Sequence, residues 1–158
     1  GKAQALYARI SGDFYGGAPY STWKCIRKIK QVLPDIVHIH LMNGNYVHNS
    51  KLLNFLANSG IATLITLHAE ITYTGLCEHA YDCDRWKIGC GNCPQVFKKY
   101  HSLFFDRTAL EWERKIKSFS KFKSLTIVSV SKWLEDRARL SPMLEKFNFH
   151  VIENGVDS

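Results

Sequence analysis

Thr66-Leu-His-Ala-Glu-Ile-Thr-Tyr-Thr-Gly-Leu-Cys-Glu-His-Ala-Tyr-Asp-Cys-Asp-Arg-Trp-Lys-Ile-Gly-Cys-Gly-Asn-Cys-Pro94 begins as the end of an apolar run, Ile61 to Leu67, and finishes in a loop that holds four of the chain's five cysteines. A strand that stops at a histidine, His68, and opens into a long loop suits a ligand site in an α/β protein. Ligands of open α/β sheets bind beyond the carboxyl ends of the strands. A loop of this length without secondary structure of its own is functional, or is held by something other than an apolar core.

Outward from that stretch, strand-like and helix-like segments alternate. Upstream, Asp35-Ile-Val-His-Ile-His-Leu41 is short and nearly all apolar, as a buried parallel strand reads. His38 and His40 fall on one face of it. Both fit hydrogen-bonded core histidines, and His40, nearer the carboxyl end, equally fits a site residue. Asn43-Gly44-Asn45 then makes a turn. Asn49 or Ser50 is placed to cap a helix with Leu52, Leu53, Phe55 and Leu56 on its apolar face, and Gly60 suits its C-terminal stop. Earlier still, Thr22 is a candidate N-cap for a helix from about Ser21 to Leu33, ended by Pro34. Cys25, Ile26, Ile29, Val32 and Leu33 recur there at helical spacing, and Lys24, Arg27, Lys28 and Lys30 give a basic opposite face. Residues 1–18 carry little pattern, and Gly12, Gly16 and Gly17 mark a turning segment.

Downstream of the loop, Thr108 and Glu111 have the spacing of a capping box for a helix to about Phe122. Glu111 with Lys115 and Glu113 with Lys117 stand at i,i+4. Leu125 to Val130 reads as a third strand, Ser131 caps a further helix to about Leu140, and Phe149 to Glu153 reads as a fourth strand before an Asn154-Gly155-Val156-Asp157 turn. The strands therefore lie near 35–41, 61–67, 125–130 and 149–153, joined through helices. The implied fold class is α/β, a Rossmann-like parallel sheet with helices on both faces. No repeat and no low-complexity tract interrupts it.

Composition narrows the function classes. At 158 residues the chain is long enough for one domain with a core, and 46% hydrophobic with 22% charged residues excludes bulk disorder. No apolar run approaches the roughly 20 residues that span a bilayer. A formal charge of +7 favours anionic partners: nucleotide phosphates, an anionic membrane surface or nucleic acid. The chain opens on Gly1 rather than Met, which is expected of a piece of something longer, and no export signal is seen. A reducing, cytoplasmic compartment is the expectation, and it weighs against disulfides.

Five residues separate Cys77 from Cys83, six separate Cys83 from Cys90, and two separate Cys90 from Cys93. The closing Cys-Gly-Asn-Cys turn aims two thiolates at one point, and four such sulfurs make a tetrahedral zinc site. Three states remain open for them: structural zinc, two disulfides, or four reduced thiols. A catalytic metal is not expected, because four protein ligands leave no open position. Cys25 lies apart and reads as a small core residue.

Taken in order, Pro34-Asp-Ile-Val-His-Ile-His40, Thr66-Leu-His68, Thr74-Gly-x-Cys77, Cys83-Asp-Arg-Trp-Lys-x-Gly-Cys90-x-Asn-Cys-Pro94, Val128-Ser-x-Ser-Lys-Trp-Leu134 and Val151-Ile-x-Asn-Gly-Val-Asp157 form a set. Over residues 15–158 it resembles the N-terminal domain of family-4-type glycosyltransferases of the GT-B fold, in the subgroup that builds bacterial surface polysaccharides. The resemblance implies that residues 1–158 are part of an acceptor-side Rossmann-like domain, with the cysteine-rich loop at about 75–95. The opening strands and the C-terminal donor-binding domain would lie outside the chain, and this piece alone would be inactive. The whole enzyme would transfer a sugar, with retention, from a nucleotide-sugar donor to a saccharide or lipid-linked acceptor. It would need no catalytic metal and would sit in the cytoplasm, peripherally on the inner face of the membrane. His68 would be the histidine that contacts the donor sugar near the reacting centre, and His40, Asn43, Gly44, Thr74 and Gly75 the substrate-binding residues. Where the family has Asp, then any residue, then Trp after that histidine, this chain has Ala69 and Ile71, and Glu70 comes one residue late. An inactive member of the same fold is therefore one alternative. A basic, metal-stabilised module that binds nucleic acid is the other.

Overall fold

The computed structural model describes residues 2–44 and 46–155, with residues 2–4 described by their backbone alone. Asn45 of the expected 43–45 turn, and Val156 and Asp157 of the expected 154–157 turn, lie outside the described residues.

Eleven elements follow one another: α1 (Lys2–Ser11), α2 (Pro19–Val32), β1 (Ile36–Ile39), α3 (Asn49–Ser59), β2 (Ala62–Leu67), single 3₁₀ turns at Glu70–Thr72 and Arg85–Lys87, α4 (Thr108–Phe119), β3 (Thr126–Ser129), α5 (Lys132–Arg139) and β4 (Asn148–Val151). The four strands form one sheet in the order β1-β2-β3-β4, and every neighbouring pair is parallel. This is the α/β, Rossmann-like, helix-flanked parallel sheet the sequence implied; of the expected helices on both faces, α3, α4 and α5 join the apolar cluster of one face, while His38, Leu64, Thr66 and Val128 of the other line an open hollow. Parallel neighbours cannot be joined by a hairpin, so each step needs a crossover. Helices α3 and α5 and the segment containing α4 supply them.

Pairing of Ile36 with Ala62, Leu64 with Thr126 and Thr126 with Asn148 fixes which side chains share a face. One face carries Val37, Ile39, Ile65, Leu67, Ile127 and Phe149. These pack into a single apolar cluster with Leu53 and Leu56 of α3, Phe119 of α4, and Leu134 and Ala138 of α5. Below the strands, the rings of Phe119, Phe122 and Phe147 stand 6.3–6.5 Å apart by their centroids, the spacing of edge and tilted aromatic contacts. The opposite face carries His38, Leu64, Thr66 and Val128.

The helix ends show how local chemistry was read and misread. Gly60 ends α3 with φ at 74°, as its lack of a Cβ permits. Ser131 accepts a hydrogen bond from the Leu134 N–H and starts α5 as expected. The other start signals need correction. Helix α2 begins at Pro19, a first-turn position where proline's lost N–H has no helical partner in any case. Thr22 is inside it, donating to the Ala18 carbonyl and accepting from the His48 N–H. His48, not Asn49 or Ser50, is the N-cap of α3. Thr108 and Glu111 do not form a capping box: Asp106 accepts from both the N–H and the hydroxyl of Thr108. Residues 2–11 are a helix although their sequence carried little pattern, and Cys25 is exposed on α2 rather than in the core.

Candidate functional site

Strand β2 ends at Leu67, and His68 is the first residue past its carboxyl end, with its side chain exposed. His40 stands in the same relation to β1. Parallel pairing puts both on the face opposite the apolar cluster, where His40 Nδ1 and His68 Nε2 are 3.1 Å apart and share one hydrogen bond. His38 lies one step back along β1, bonded to the Thr66 hydroxyl at 2.7 Å, with its ring centroid 4.1 Å from that of His40. Desolvation, then the two neighbouring histidines, hold the His38 imidazole below its ordinary pKa.

The three histidines line an open hollow of about 330 Å³ together with Leu64, Thr66, Val128, Ile152, Glu153 and Asn154. That lies at the lower end of the range for small-molecule sites, roughly 300–1,000 Å³. It has an aliphatic floor, an imidazole rim and a carboxylate with an amide at its far side, on one face of the sheet past the strand ends. Such a surface sets hydrogen-bond donors and acceptors beside aliphatic side chains.

The other sequence-named residues fall elsewhere. Asn43 Nδ2 donates to Glu78 at 3.1 Å, and Gly44 lies against the Tyr46 ring. Neither lines the histidine hollow. Thr74 is buried, donating to the Cys77 carbonyl at 2.6 Å, and Gly75 lies under Cys90. Both belong to the cysteine loop.

In that loop Cys77, Cys83, Cys90 and Cys93 line one small cavity with Thr74, Trp86 and Thr108. Among the described residues no three His, Cys, Asp or Glu side chains converge as a finished metal-holding group. All five cysteines are free thiols in this structure. Cys77 shares a hydrogen bond with Cys93, which pushes Cys77 well above the usual thiol range and draws Cys93 well below it. N–H groups of Gln95 and Val96 add to the effect on Cys93, and burial pushes Cys90 up to about 11.

Three charged groups hold the loop to the helices, in roles that sequence reasoning did not assign to them. Glu70 is wholly buried and accepts from Arg137 Nε, the Tyr73 hydroxyl and the Ala80 N–H. Arg137 also stacks near Trp86 and Trp133, each 5.3 Å away. Lys115, 1% exposed, donates to the carbonyls of Ile71 at 2.6 Å and Thr74 at 2.8 Å, and burial lowers its pKa to about 8. The expected Glu111–Lys115 pair is thus replaced: Glu111 binds Arg114, which also reaches Asp13 at 3.1 Å. The exposed Glu113–Lys117 pair forms at 3.6 Å. A signal for Lys115 was present, since Thr108, Glu111, Lys115 and Ser118 recur at helical spacing on the buried side of α4.

No helix among the described residues is long and apolar enough to cross a membrane. No family model, curated protein or solved structure matches the chain.

Proposed function

We propose that this chain is the acceptor-side domain of a retaining sugar transferase. The whole enzyme would move a sugar from a nucleotide-sugar donor to a saccharide or lipid-linked acceptor in cell-surface polysaccharide synthesis. The observation that carries the reading is His68, exposed past the carboxyl end of β2, bonded to His40 and lining the open hollow. An imidazole N–H held in this way donates to a sugar hydroxyl. It contributes most where charge grows on the ring as the donor bond breaks. Leu64, Val128 and Ile152 supply the apolar surface, and Glu153 with Asn154 the polar groups, that a pyranose needs. The net charge of +7 favours a donor pyrophosphate and an anionic lipid surface.

One observation favours a second reading, a non-catalytic member of the same fold. Glu70, the acidic residue nearest His68 in sequence, is committed to Arg137, Tyr73 and Ala80 inside the protein, and Ala69 and Ile71 bring no acid to the hollow. One experiment separates the readings. The full-length protein carrying this chain is assayed for hydrolysis and transfer against a panel of nucleotide sugars, beside its His68→Ala variant. Turnover of one donor that falls with His68→Ala supports the transferase. Donor binding without turnover supports the inactive relative. Neither binding nor turnover, with salt-sensitive binding of a DNA or RNA oligomer, transfers the case to a nucleic-acid module.

A further inference from the structure

Cys77, Cys83, Cys90 and Cys93 line one small, partly open space of about 20 Å³. A water needs roughly 10–15 Å³ on this scale, so the space admits one small ion or one water and no organic ligand. The backbone around it is shaped to sulfur. The Gly75 N–H donates to Cys90 Sγ at 3.1 Å. A Cβ at Gly75 would stand 2.8 Å from Cys90 Cβ and 2.5 Å from the Thr108 carbonyl oxygen, so the position is bare where the thiol comes closest. The Cys90–Cys93 knuckle is turned by positive φ angles of 144° at Gly91 and 45° at Asn92. It is fastened from outside by Asp106, which accepts from the Cys93 N–H at 2.6 Å and from the Thr108 N–H at the start of α4. Arg85 closes the knuckle by donating to the carbonyls of Gly91 and Asn92.

One buried polar group in this region lacks a partner in the protein, and one buried charge has only neutral acceptors. The indole N–H of Trp86, in the cavity wall, has no acceptor although the residue is 1% exposed. The ammonium of Lys115 is buried with two neutral carbonyls as its hydrogen-bond acceptors. Its charged neighbours include Glu111 and the thiols of Cys90 and Cys77. A buried cation beside a cluster of thiols is balanced when that cluster is anionic.

We propose that Cys77, Cys83, Cys90 and Cys93 form a structural site for one zinc ion, with the buried Lys115 ammonium offsetting part of its negative charge. Four thiolates around a divalent ion leave two net negative charges, and the Lys115 ammonium, with Cys90 and Cys77 among its neighbours, offsets part of them. Binding draws the four sulfurs inward from their present places to a tetrahedron of about 2.3 Å radius. It joins the Thr74–Cys77 turn, the segment before the Arg85–Lys87 turn and the Cys90–Cys93 knuckle into one unit, so that metal affinity adds directly to the stability of the loop. With four protein ligands the ion has no free position for substrate, and the site is independent of the transfer chemistry. Cys25, exposed on α2, takes no part.

The test uses the full-length protein purified without chelator under reducing conditions, with zinc read by elemental analysis and thiols by titration before and after denaturation. About one equivalent of zinc is expected, with four of the five thiols protected until chelator is added. Cys25→Ser keeps the metal; Cys90→Ser and Cys93→Ser lose it. Cobalt(II) exchanged into the unmodified protein, which does not depend on any variant folding, should show the visible absorption of tetrahedral four-sulfur coordination. Lys115→Met should release zinc to a competing chelator at least about tenfold more readily, with the far-ultraviolet spectrum unchanged. Less than about a tenth of an equivalent of zinc with all thiols titratable overturns the site. So does iron in place of zinc, and so do two disulfides in protein alkylated at lysis.

Discussion

Arg137 of α5 places its Nε 2.5 Å from a carboxylate oxygen of Glu70, a residue the fold hides from solvent completely. One bond thus joins the loop that follows β2 to the helix that follows β3. Removing one partner leaves the other charged group without compensation. Arg137→Ala should therefore destabilise the protein by about 3 kcal/mol, read from denaturant unfolding. The double change Glu70→Gln with Arg137→Met should cost less than the sum of the single changes. Equal stability of Arg137→Ala and the parent would show that the pair does not hold the loop.

Under the proposed function, His68→Ala in the full-length protein should lower transfer by about two orders of magnitude, typical of losing a positioned polar group in a transition state. Folding should be unaffected, because the side chain is exposed and lies off the apolar cluster. Unchanged turnover would remove His68 from the reaction.

His48 provides a pH test of the fold. Burial first, and Lys51 next, hold its imidazole below the ordinary value of 6.5. The unfolded chain therefore binds more protons than the native one as pH falls through 6.5, and stability falls with it. Above that value both states are neutral and the contribution is flat. His48→Asn should give a shallower loss of stability between neutral and mildly acid pH, followed by chemical denaturation across that range. Identical slopes for the two proteins would exclude His48 as a source of acid sensitivity.

Helix α2 shows Lys24 over the Tyr20 ring at 4.7 Å and Arg27 over the Trp23 ring at 5.3 Å, and both rings are exposed. Basic residues beside exposed aromatic ones suit a membrane interface. The protein should sediment with anionic vesicles at low salt and be released as salt rises. Changing Lys24, Arg27, Lys28 and Lys30 to Gln should abolish this, each charge contributing about 1 kcal/mol. Equal binding to neutral and anionic vesicles would refute an electrostatic contact.

Gly75→Ala brings a methyl group against the Thr108 carbonyl and Cys90, where backbone has to move. A loss of about 1–3 kcal/mol is expected, with Cys90 becoming more reactive toward alkylating agents. Wild-type reactivity and stability would mean that the loop has slack at this point.

The strands were legible as short apolar runs, and 61–67 needed only one residue trimmed to match Ala62–Leu67; burial accounts for β2 and β3, whereas β1 and β4 are half-exposed edges rather than the buried strand that 35–41 suggested. Gly60 and Ser131 were legible because each acts through its own backbone or hydroxyl. The start of α4 was not, because Asp106, outside the expected motif, reaches the N–H first. Glu70 and Arg137 are 67 positions apart, and no local pattern announces a bond over that distance. The histidine row was half legible. Alternation put His38 and His40 on one face, but their meeting with His68 depends on the register of β1 against β2. The cysteine spacing showed that four sulfurs belong together. It did not show the bare Gly75 or the buried Lys115 beside them, since both come from tertiary packing.

The two-residue period of β1 and β2 divides labour between odd and even positions. Val37, Ile39, Ile65 and Leu67 pack the interior, whereas His38, His40, Thr66 and His68 face the hollow. A change at an even position alters what the hollow contacts without opening a void among the packed side chains. The face that lines the hollow can therefore vary in sequence while the packed interior is kept.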